Sequence, residues 1–402
     1  MNRVPYLNKN NHLIIKNDNC LIINPFQSFE KKITRNDEEE ICNLAENINL
    51  KVVYKENIRI RKATPSYLFG KGQINNIKIL LKKYLANLLI VNYQLTPVQQ
   101  RNIELYLKCK VLDRTALILE IFGERAVTKH GKLQVELASL SYQKSRLVRS
   151  WTHLERQRGG YGFMGGPGER QIESDKRQIN KRINKIKIEL KKIESNKLIQ
   201  RRNRNKNLNP FISLVGYTNA GKSTLFNYLT NENIYAKDQL FATLDTTMRK
   251  CNLLNNKKNI IFSDTVGFIT NLPTELVISF KTTLDEINYS DYLLHVIDIS
   301  NSEWEKQKLT VEKILKTILG DEYNEKKIIE IWNKSDLLNN NDSIFFKNAV
   351  SRKENAILFS SKLKVGKKEL LNLINKKIKK NKKFLFFNFP SSTHSKKIKT
   401  LL

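Results

Sequence analysis

The 402-residue sequence has only four cysteines, which are scattered along the chain as Cys20, Cys42, Cys109 and Cys251. None belongs to a C-x-x-C pair or has a histidine at metal-ligand spacing, so the sequence has no zinc motif. The pattern predicts reduced, structural thiols in a cytoplasmic protein.

Long apolar stretches are also missing. No run approaches the roughly 18 residues that a membrane-spanning helix needs, and the chain starts with the polar segment Met1–Asn8. No lipidation motif is present. These absences predict a protein that does not insert into a membrane, and nothing in the sequence requires a dimer, so we expect a monomer.

Acidic residues are scarce, with 39 Asp and Glu against 71 Lys and Arg and a formal net charge of +32. A hydrophobic fraction of 40% indicates a folded globular protein, and the length allows two or three domains. A field this positive attracts polyanions such as RNA. Compositional drift is the alternative, because Lys, Asn and Ile are abundant throughout.

Residues 1–130 are predicted to form an N-terminal α/β domain, because short apolar strands alternate with amphipathic helices. The expected strands are Cys20–Asn24, Val52–Tyr54, Ile58–Ile60, Leu88–Val91 and Val111–Leu112, and the expected helices are Asp37–Leu50, Gln73–Leu85 and Pro97–Leu107. Gly70–Gly72 precedes a helix and is either a plain turn or a weak anion site.

Residues 131–200 are predicted to form an antiparallel helical hairpin. Two heptad seams match in spacing, the first at Leu133, Leu137, Leu140, Lys144, Leu147, Trp151 and Leu154 and the second at Ile172, Lys176, Ile179, Ile183, Ile186, Leu190 and Ile193. Between them, the glycine-rich stretch Arg158–Arg170 is expected to form the tip. The polar, basic residues 201–210 are predicted to be a linker.

Charge is concentrated in this hairpin, with 19 basic and 6 acidic residues from Lys144 to Lys206. Together with Tyr161 and Phe163 in the tip, this density favours a phosphate-rich surface with unpaired bases. A solvated face on an ordinary coiled coil remains the alternative.

A phosphate-binding loop follows the apolar run 211–215 and precedes a helical pattern, which is the setting that its G-x-x-x-x-G-K-S pattern requires. We expect its glycines to let backbone N–H groups curl around phosphates, Lys222 to neutralise the β/γ oxygens and Ser223 to bind Mg²⁺. The loop consists of Gly216, Tyr217, Thr218, Asn219, Ala220, Gly221, Lys222 and Ser223.

Three further motifs each follow a predicted strand in residues 211–375, the predicted nucleotide domain. Asp264, Thr265, Val266 and Gly267 would serve the Mg²⁺ shell and sense a γ-phosphate. Asn333, Lys334, Ser335 and Asp336 would read guanine, because a carboxylate accepts both N–H groups at its edge. Ser360, Ser361 and Lys362 would close over the base. Residues 376–402 are predicted to be a short C-terminal extension.

The motifs resemble those of the HflX family of ribosome-associated GTPases, notably in Phe241–Asp245, Asp264–Pro273, Leu294–Asp298, Val111–Arg114, Gly131–Leu137 and Trp151–Arg156. The resemblance implies an α/β fold with an N-terminal α/β domain, a helical hairpin and a phosphate-loop GTPase domain with a Rossmann-like sheet. It further implies GTP hydrolysis with Mg²⁺, binding to the large ribosomal subunit and its rRNA, and splitting or rescue of stalled ribosomes.

By the same resemblance, Ser223 and Thr243 are the Mg²⁺ ligands, and Lys222, Thr243 and Gly267 are the catalytic residues. The first switch segment comprises Phe241, Ala242, Thr243, Leu244 and Asp245, and the second comprises Asp264 to Gly267. Thr246 and Thr247 are rival hydroxyls for the role of Thr243.

Phe268 stands where Ras-like enzymes keep a glutamine that positions the attacking water. A phenyl ring cannot orient water by hydrogen bonding, so we expect slow intrinsic hydrolysis that ribosomes accelerate. Alternatively, Phe268 simply packs against the second switch segment.

Two other functions compete with a ribosome-bound switch. One is an RNA-binding or RNA-remodelling protein that works through its N-terminal domain with GTP as a regulator, although residues 1–200 contain no second phosphate loop. The other is a membrane-associated signalling GTPase, which the missing membrane motifs disfavour.

Overall fold

The structure is a computed structural model that describes residues 18–27, 34–147, 167–206, 209–231, 240–241, 243–244, 246–252, 259–270 and 286–387, with the backbone alone at 167–172, 200–206 and 380–387. It confirms the α/β fold class, with two mainly parallel sheets connected by a helical hairpin. In these ranges no helix combines the length and apolar character that crossing a bilayer requires.

The N-terminal domain is a four-stranded parallel sheet in the order β2-β1-β3-β4, with helices on both faces. Alternate residues of β1 face opposite sides, so Cys20 and Ile22 join one core cluster while Leu21 and Ile23 join the other. The elements are β1 (Asn19–Gln27), α1 (Arg35–Glu46), β2 (Lys51–Ile60), α2 (Lys71–Lys83), β3 (Leu88–Val91), α3 (Pro97–Leu107), β4 (Lys110–Asp113) and α4 (Arg114–Arg125).

Two predictions for this domain need correction, and one helix was missed. The two strands expected in 52–60 are the single strand β2, which pairs with β1 along its whole length. Helix α1 ends four residues before Leu50, because Asn49 adopts a positive φ of 59°. Helix α4 was not predicted, since eight of its twelve residues are buried and it therefore lacks the polar face that reveals a helical period.

Gly70 supports the plain interpretation of the segment 70–72. It is the N-cap of α2, and its own N–H donates to Gln73 Oε1 at 3.0 Å. The first helical turn is thereby closed by the side chain of its own third residue.

The predicted hairpin is formed by α5 (Lys129–Leu147) and α6 (Pro167–Lys206). Leu133 packs on Ile186 and Leu190, in agreement with the two seams. The Arg182 guanidinium pairs with Glu136 at 2.6 Å, and Lys197 Nζ lies 3.4 Å from His130 Nδ1, so the helices run antiparallel. The seam positions Trp151 and Leu154, together with Tyr161 and Phe163, lie outside the described residues.

The ends of α6 differ from the prediction. The helix starts at Pro167, inside the segment expected as the tip, because proline fits the first helical position. It continues to Lys206, through six residues of the predicted linker, since Arg and Lys favour helices and no Gly or Pro interrupts them.

The nucleotide domain has a six-stranded sheet in the order β10-β9-β8-β5-β7-β6, in which only β6 runs antiparallel to its neighbour. Helix α10 continues through the predicted boundary at residue 375. The elements are β5 (Phe211–Gly216), α7 (Lys222–Thr230), β6 (Thr247–Asn252), β7 (Asn259–Asp264), β8 (Tyr292–Asp298), α8 (Trp304–Leu319), β9 (Ile328–Asn333), α9 (Asn340–Ser351), β10 (Ala356–Leu358) and α10 (Lys367–Phe387).

The two domains share one contiguous hydrophobic cluster. Phe241, from the predicted first switch segment, is 2% exposed and meets Phe122 of α4 edge-on, with ring centroids 4.7 Å apart. Leu240 and Leu244 belong to the same cluster as Ile41 and Leu44 of α1. The N-terminal domain therefore packs directly on a loop of the nucleotide domain.

Candidate active site

The phosphate loop runs from the end of β5 to the start of α7, and close backbone contacts explain its two glycines. A Cβ at Gly216 would lie 2.3 Å from the carbonyl oxygen of Val296. Gly221 has φ of 92°, and a Cβ there would lie 2.3 Å from Asn333 Nδ2. Gly221 is also the N-cap of α7 and makes no side-chain cap, so the first N–H groups of this helix are left for an anion.

Lys222 is buried beneath this loop. Its Nζ donates to the carbonyl oxygen of Tyr217 at 2.7 Å, and burial lowers its pKa to about 8 although Asp264 opposes the shift. A Cβ at Gly267 would lie 3.0 Å from Lys222 Nζ and 2.9 Å from Thr218 Cγ2. Gly267 therefore lets the second switch segment lie against the loop at the position of the lysine ammonium.

Three oxygen-bearing side chains converge beside the lysine. Ser223 Oγ donates to Asp264 Oδ2 at 2.7 Å, Thr243 Oγ1 donates to the same oxygen at 2.9 Å, and the two hydroxyls are 2.8 Å apart. The other carboxylate oxygen, Asp264 Oδ1, is buried and has no hydrogen-bond partner among the described residues. Burial raises the pKa of the Asp264 carboxyl, which the hydroxyls and Lys222 oppose. Hydroxyl and carboxylate oxygens are ligands that suit Mg²⁺.

Among the three candidate threonines, Thr243 is the one whose hydroxyl the structure brings to Ser223 and Asp264. Thr247 begins β6, and its buried hydroxyl has no hydrogen-bond partner among the described residues. Thr246 precedes that strand. The geometry therefore favours Thr243 over its two rivals.

The two predicted guanine segments lie together. Asn333 Oδ1 accepts from the N–H of Ser361 at 3.0 Å and from its hydroxyl at 2.9 Å, and Asn333 Nδ2 donates to the Ala220 carbonyl at 2.8 Å. Ser360 Oγ donates to Asp336 Oδ1 at 2.6 Å. Asn333, a buried residue of the first segment, thus contacts both the phosphate loop and the second segment.

The remaining residues of the guanine segments and of the second switch segment lie around the site. Lys334 adopts φ of 62° and pairs with Asp298 at 2.7 Å, and the Ser335 N–H donates to the Phe359 carbonyl at 3.2 Å. Lys362 is exposed. The Thr265 hydroxyl donates to the Leu214 carbonyl at 2.6 Å, and Val266 is buried.

In the first switch segment, Ala242 and Asp245 lie outside the described residues. Phe241 and Leu244 were expected to serve the nucleotide, but the structure places their side chains in the core shared with the N-terminal domain. Thr243, between them, turns its hydroxyl to Asp264. The apolar neighbours anchor the segment while the threonine faces the site.

Phe268 is fully buried, as in the packing alternative. Its backbone N–H donates to the Gly216 carbonyl at 3.1 Å, and its carbonyl accepts from the Thr218 N–H at 2.7 Å. This residue therefore ties the second switch segment to the phosphate loop through its backbone.

Sequence reasoning missed the contribution of α1. A cavity of about 270 Å³ lies between this helix and the phosphate loop, lined by Glu40, Asn43, Tyr217, Asn219 and Lys334 among others. Glu40 and Tyr217 are 177 positions apart, so no local pattern could have shown their contact.

Family models match three consecutive parts of the chain. The model described as GTP-binding GTPase N-terminal matches residues 35–123, GTP-binding GTPase Middle Region matches 125–204, and 50S ribosome-binding GTPase matches 211–334. Among solved structures, a GTP-binding protein from the archaeon Sulfolobus solfataricus in complex with GDP is 26% identical with a TM-score of 0.45, covering 90% of this chain and 99% of that one.

Curated relatives match most of the chain. GTPase HflX of Magnetococcus marinus is 48% identical over 316 residues, which are 78% of this chain and 72% of the relative. GTPase HflX of Caldanaerobacter subterraneus is 39% identical over 379 residues, which are 93% of this chain and 83% of the relative. The chain therefore belongs to the HflX family and is a GTPase.

Proposed function

We propose that this GTPase is a Mg²⁺-dependent switch that binds the large ribosomal subunit in its GTP state and helps to split or rescue stalled ribosomes in the cytoplasm. The observation that carries the proposal is the convergence of Ser223, Thr243 and Asp264 beside a phosphate loop whose switch segment is anchored in the N-terminal domain. A change in the bound nucleotide can thereby affect the N-terminal domain through this segment.

Ser223 and Thr243 would hold Mg²⁺, with Asp264 in its shell. One buried oxygen of Asp264 has no partner among the residues that the structure describes, and the distances among the three side chains are short. Both observations fit a cation at this point. When bound, the ion would supply positive charge that offsets the charge of the phosphates.

The protein groups would act mainly by position and charge. The uncapped N-terminus of α7 and the Lys222 ammonium bind the phosphates, and the Gly267 N–H reaches the terminal one. Asp336 selects guanine by accepting two hydrogen bonds at the edge of the base. Because Phe268 supplies no hydrogen bond from its side chain, hydrolysis by the isolated chain is slow.

The basic hairpin is the proposed contact with ribosomal RNA. Along α6 the exposed positions are rich in lysine, including Lys181, Lys185, Lys187, Lys191 and Lys192. The apolar seam is used in packing against α5, so the charged face is free to meet phosphates. Asp113 connects helix α5 of this hairpin to the N-terminal domain, because it accepts from Arg146 at 2.6 Å and from the Tyr142 hydroxyl at 2.8 Å.

The proposal is tested by GTP hydrolysis with purified large subunits, with small subunits and without ribosomes, followed by the subunit profile of treated ribosomes. We expect large subunits to accelerate hydrolysis and free subunits to accumulate with GTP. Equal rates in all three reactions would overturn the ribosomal role.

A further inference from the structure

A buried polar cluster connects the N-terminal domain to the two loops that surround the phosphates. It comprises Glu40 of α1, Arg114 at the start of α4, Tyr217 of the phosphate loop and Thr270, which lies three residues beyond Gly267. The side chains of Arg114 and Glu40 are only 8% and 14% exposed. Solvent therefore screens their interaction weakly.

Arg114 makes contacts in three directions. Its Nη2 donates to Glu40 Oε1 at 2.5 Å and to the backbone carbonyl of Thr270 at 3.0 Å. Its Nη1 donates to Asn92 Oδ1 at 2.8 Å. Because a guanidinium is planar and rigid, these contacts fix the Thr270 carbonyl relative to the sheet of the N-terminal domain.

Glu40 connects Arg114 to the phosphate loop. Its second carboxylate oxygen accepts from the Tyr217 hydroxyl. That hydroxyl also accepts from the Thr270 N–H at 3.1 Å and lies 3.1 Å from Thr270 Oγ1. Thr270 is thus held at its carbonyl by Arg114 and at its N–H by Tyr217.

Both loops act on the phosphates. The carbonyl of Tyr217 accepts from the buried Lys222 ammonium at 2.7 Å, so a shift of Tyr217 displaces the partner of that ammonium. Thr270 lies at the end of a segment that begins at Asp264. Gly267, within this segment, lies against Lys222. Small displacements of such groups cost much in rate, because hydrolysis depends on alignment.

We propose that Arg114 is a positioning residue for GTP hydrolysis, which holds the phosphate loop and the second switch segment in register across the domain interface. Arg114 touches neither phosphate nor metal in this role. It acts through Thr270 directly and through Glu40 on Tyr217. The inference rests on the proposed site for GTP and extends it to a second domain.

The test measures single-turnover GTP hydrolysis, KM and GDP affinity in the full chain for Arg114→Gln, Arg114→Lys and Tyr217→Phe. Lysine keeps the charge beside Glu40 but cannot contact Glu40, Asn92 and Thr270 together. We expect kcat to fall about tenfold in both arginine variants, with GDP affinity within about twofold of the wild type. Arg114→Lys should lower the melting temperature less than Arg114→Gln does, while lowering kcat as much, which separates positioning from stability.

Arg35→Gln is the matched control, because it removes an arginine of the same domain that is 90% exposed and pairs with Glu39 one helical turn away. Its kcat should equal that of the wild type. If Arg114→Gln does not fold, Tyr217→Phe still tests the linkage, since it removes one oxygen and keeps the ring. We expect its kcat to fall several-fold.

The double variant Arg114→Lys with Tyr217→Phe tests whether both residues act through one linkage. Its kcat should be no lower than the kcat of the less active single variant. If the two substitutions acted independently, their fold reductions in kcat would multiply. A wild-type rate in Arg114→Lys, or multiplied effects in the double variant, would overturn the inference. A wild-type chain that does not hydrolyse GTP would instead overturn the proposed site.

Discussion

Helices α4 and α7 each follow the carboxyl end of a parallel strand, and their first turns are built in opposite ways. Helix α4 follows β4 directly, and Asp113 caps it by accepting from the Ala116 N–H at 2.8 Å. Helix α7 follows β5 through the glycine loop, and its N-cap Gly221 supplies no side chain. A helix N-terminus that is filled by its own carboxylate supports structure, whereas one left open can bind an anion.

The N-termini of α4 and α7 are nevertheless connected through side-chain contacts. Asp113 binds the hairpin through Arg146 and Tyr142, and the next residue, Arg114, contacts Thr270, three residues beyond Gly267. The capped end therefore lies between the basic hairpin and the open end. Under the proposed function, these contacts are the route by which the N-terminal domain would respond to GTP.

The largest expected effect comes from removing the charge at the open end. Lys222→Ala should lower kcat/KM for GTP on the order of 1,000-fold, because the ammonium neutralises charge that develops on the phosphates. Steady-state hydrolysis measures this loss. Lys347→Ala, which removes an exposed lysine of the same domain, serves as the control and should be unaffected. Activity retained in Lys222→Ala would mean that the open end is not the site.

At the capped end, Asp113→Ala should destabilise the fold without a direct effect on phosphate. We expect a loss of about 3 kcal/mol in the free energy of unfolding, because the half-buried Arg146 loses its fully buried carboxylate partner along with the cap. Denaturant titration gives the value. Thr34→Ala removes only the cap of α1 and should cost about 1 kcal/mol. Equal losses in the two variants would show that the ion pair adds nothing.

Selection of guanine extends the comparison between the two helix ends. The open N-terminus of α7 can bind any phosphate, so the choice of base depends on a neighbouring loop. Asp336→Asn replaces an acceptor with a donor and should weaken GDP binding about 100-fold. It should also improve binding of xanthosine diphosphate, whose base carries a carbonyl where guanine carries an amino group. Competition with a fluorescent nucleotide measures both affinities. Unchanged preference for GDP would place base recognition elsewhere.

Elements whose pattern depends on adjacent residues could be predicted from the sequence. The turn from Gly216 to Ser223 and the strand Leu88–Val91 follow from adjacent residues, so the chain order alone reveals them. Helix α4 escaped prediction because it is apolar on nearly every side. The contact of Glu40 with Tyr217 and the packing of Phe241 on Phe122 join distant segments, and only the folded chain brings them together.

A smaller effect concerns pH at the open end. Burial lowers the pKa of Lys222 to about 8, and bound phosphate should raise it by supplying negative charge. Binding then takes up a proton above that pH, so affinity is full below about pH 8 and falls as the pH rises. We expect GDP binding to weaken up to about eightfold from about pH 7.5 to about pH 9, as isothermal calorimetry can show. A constant affinity would contradict a depressed lysine pKa.

The central claim is that GTP at the open end of α7 commits the basic hairpin to the ribosome. It is tested most directly by sedimenting the full chain with large ribosomal subunits in three states: without nucleotide, with GDP and with a non-hydrolysable GTP analogue. The account predicts strong pelleting with the analogue and weak pelleting in the other two states. Equal pelleting in all three would contradict it.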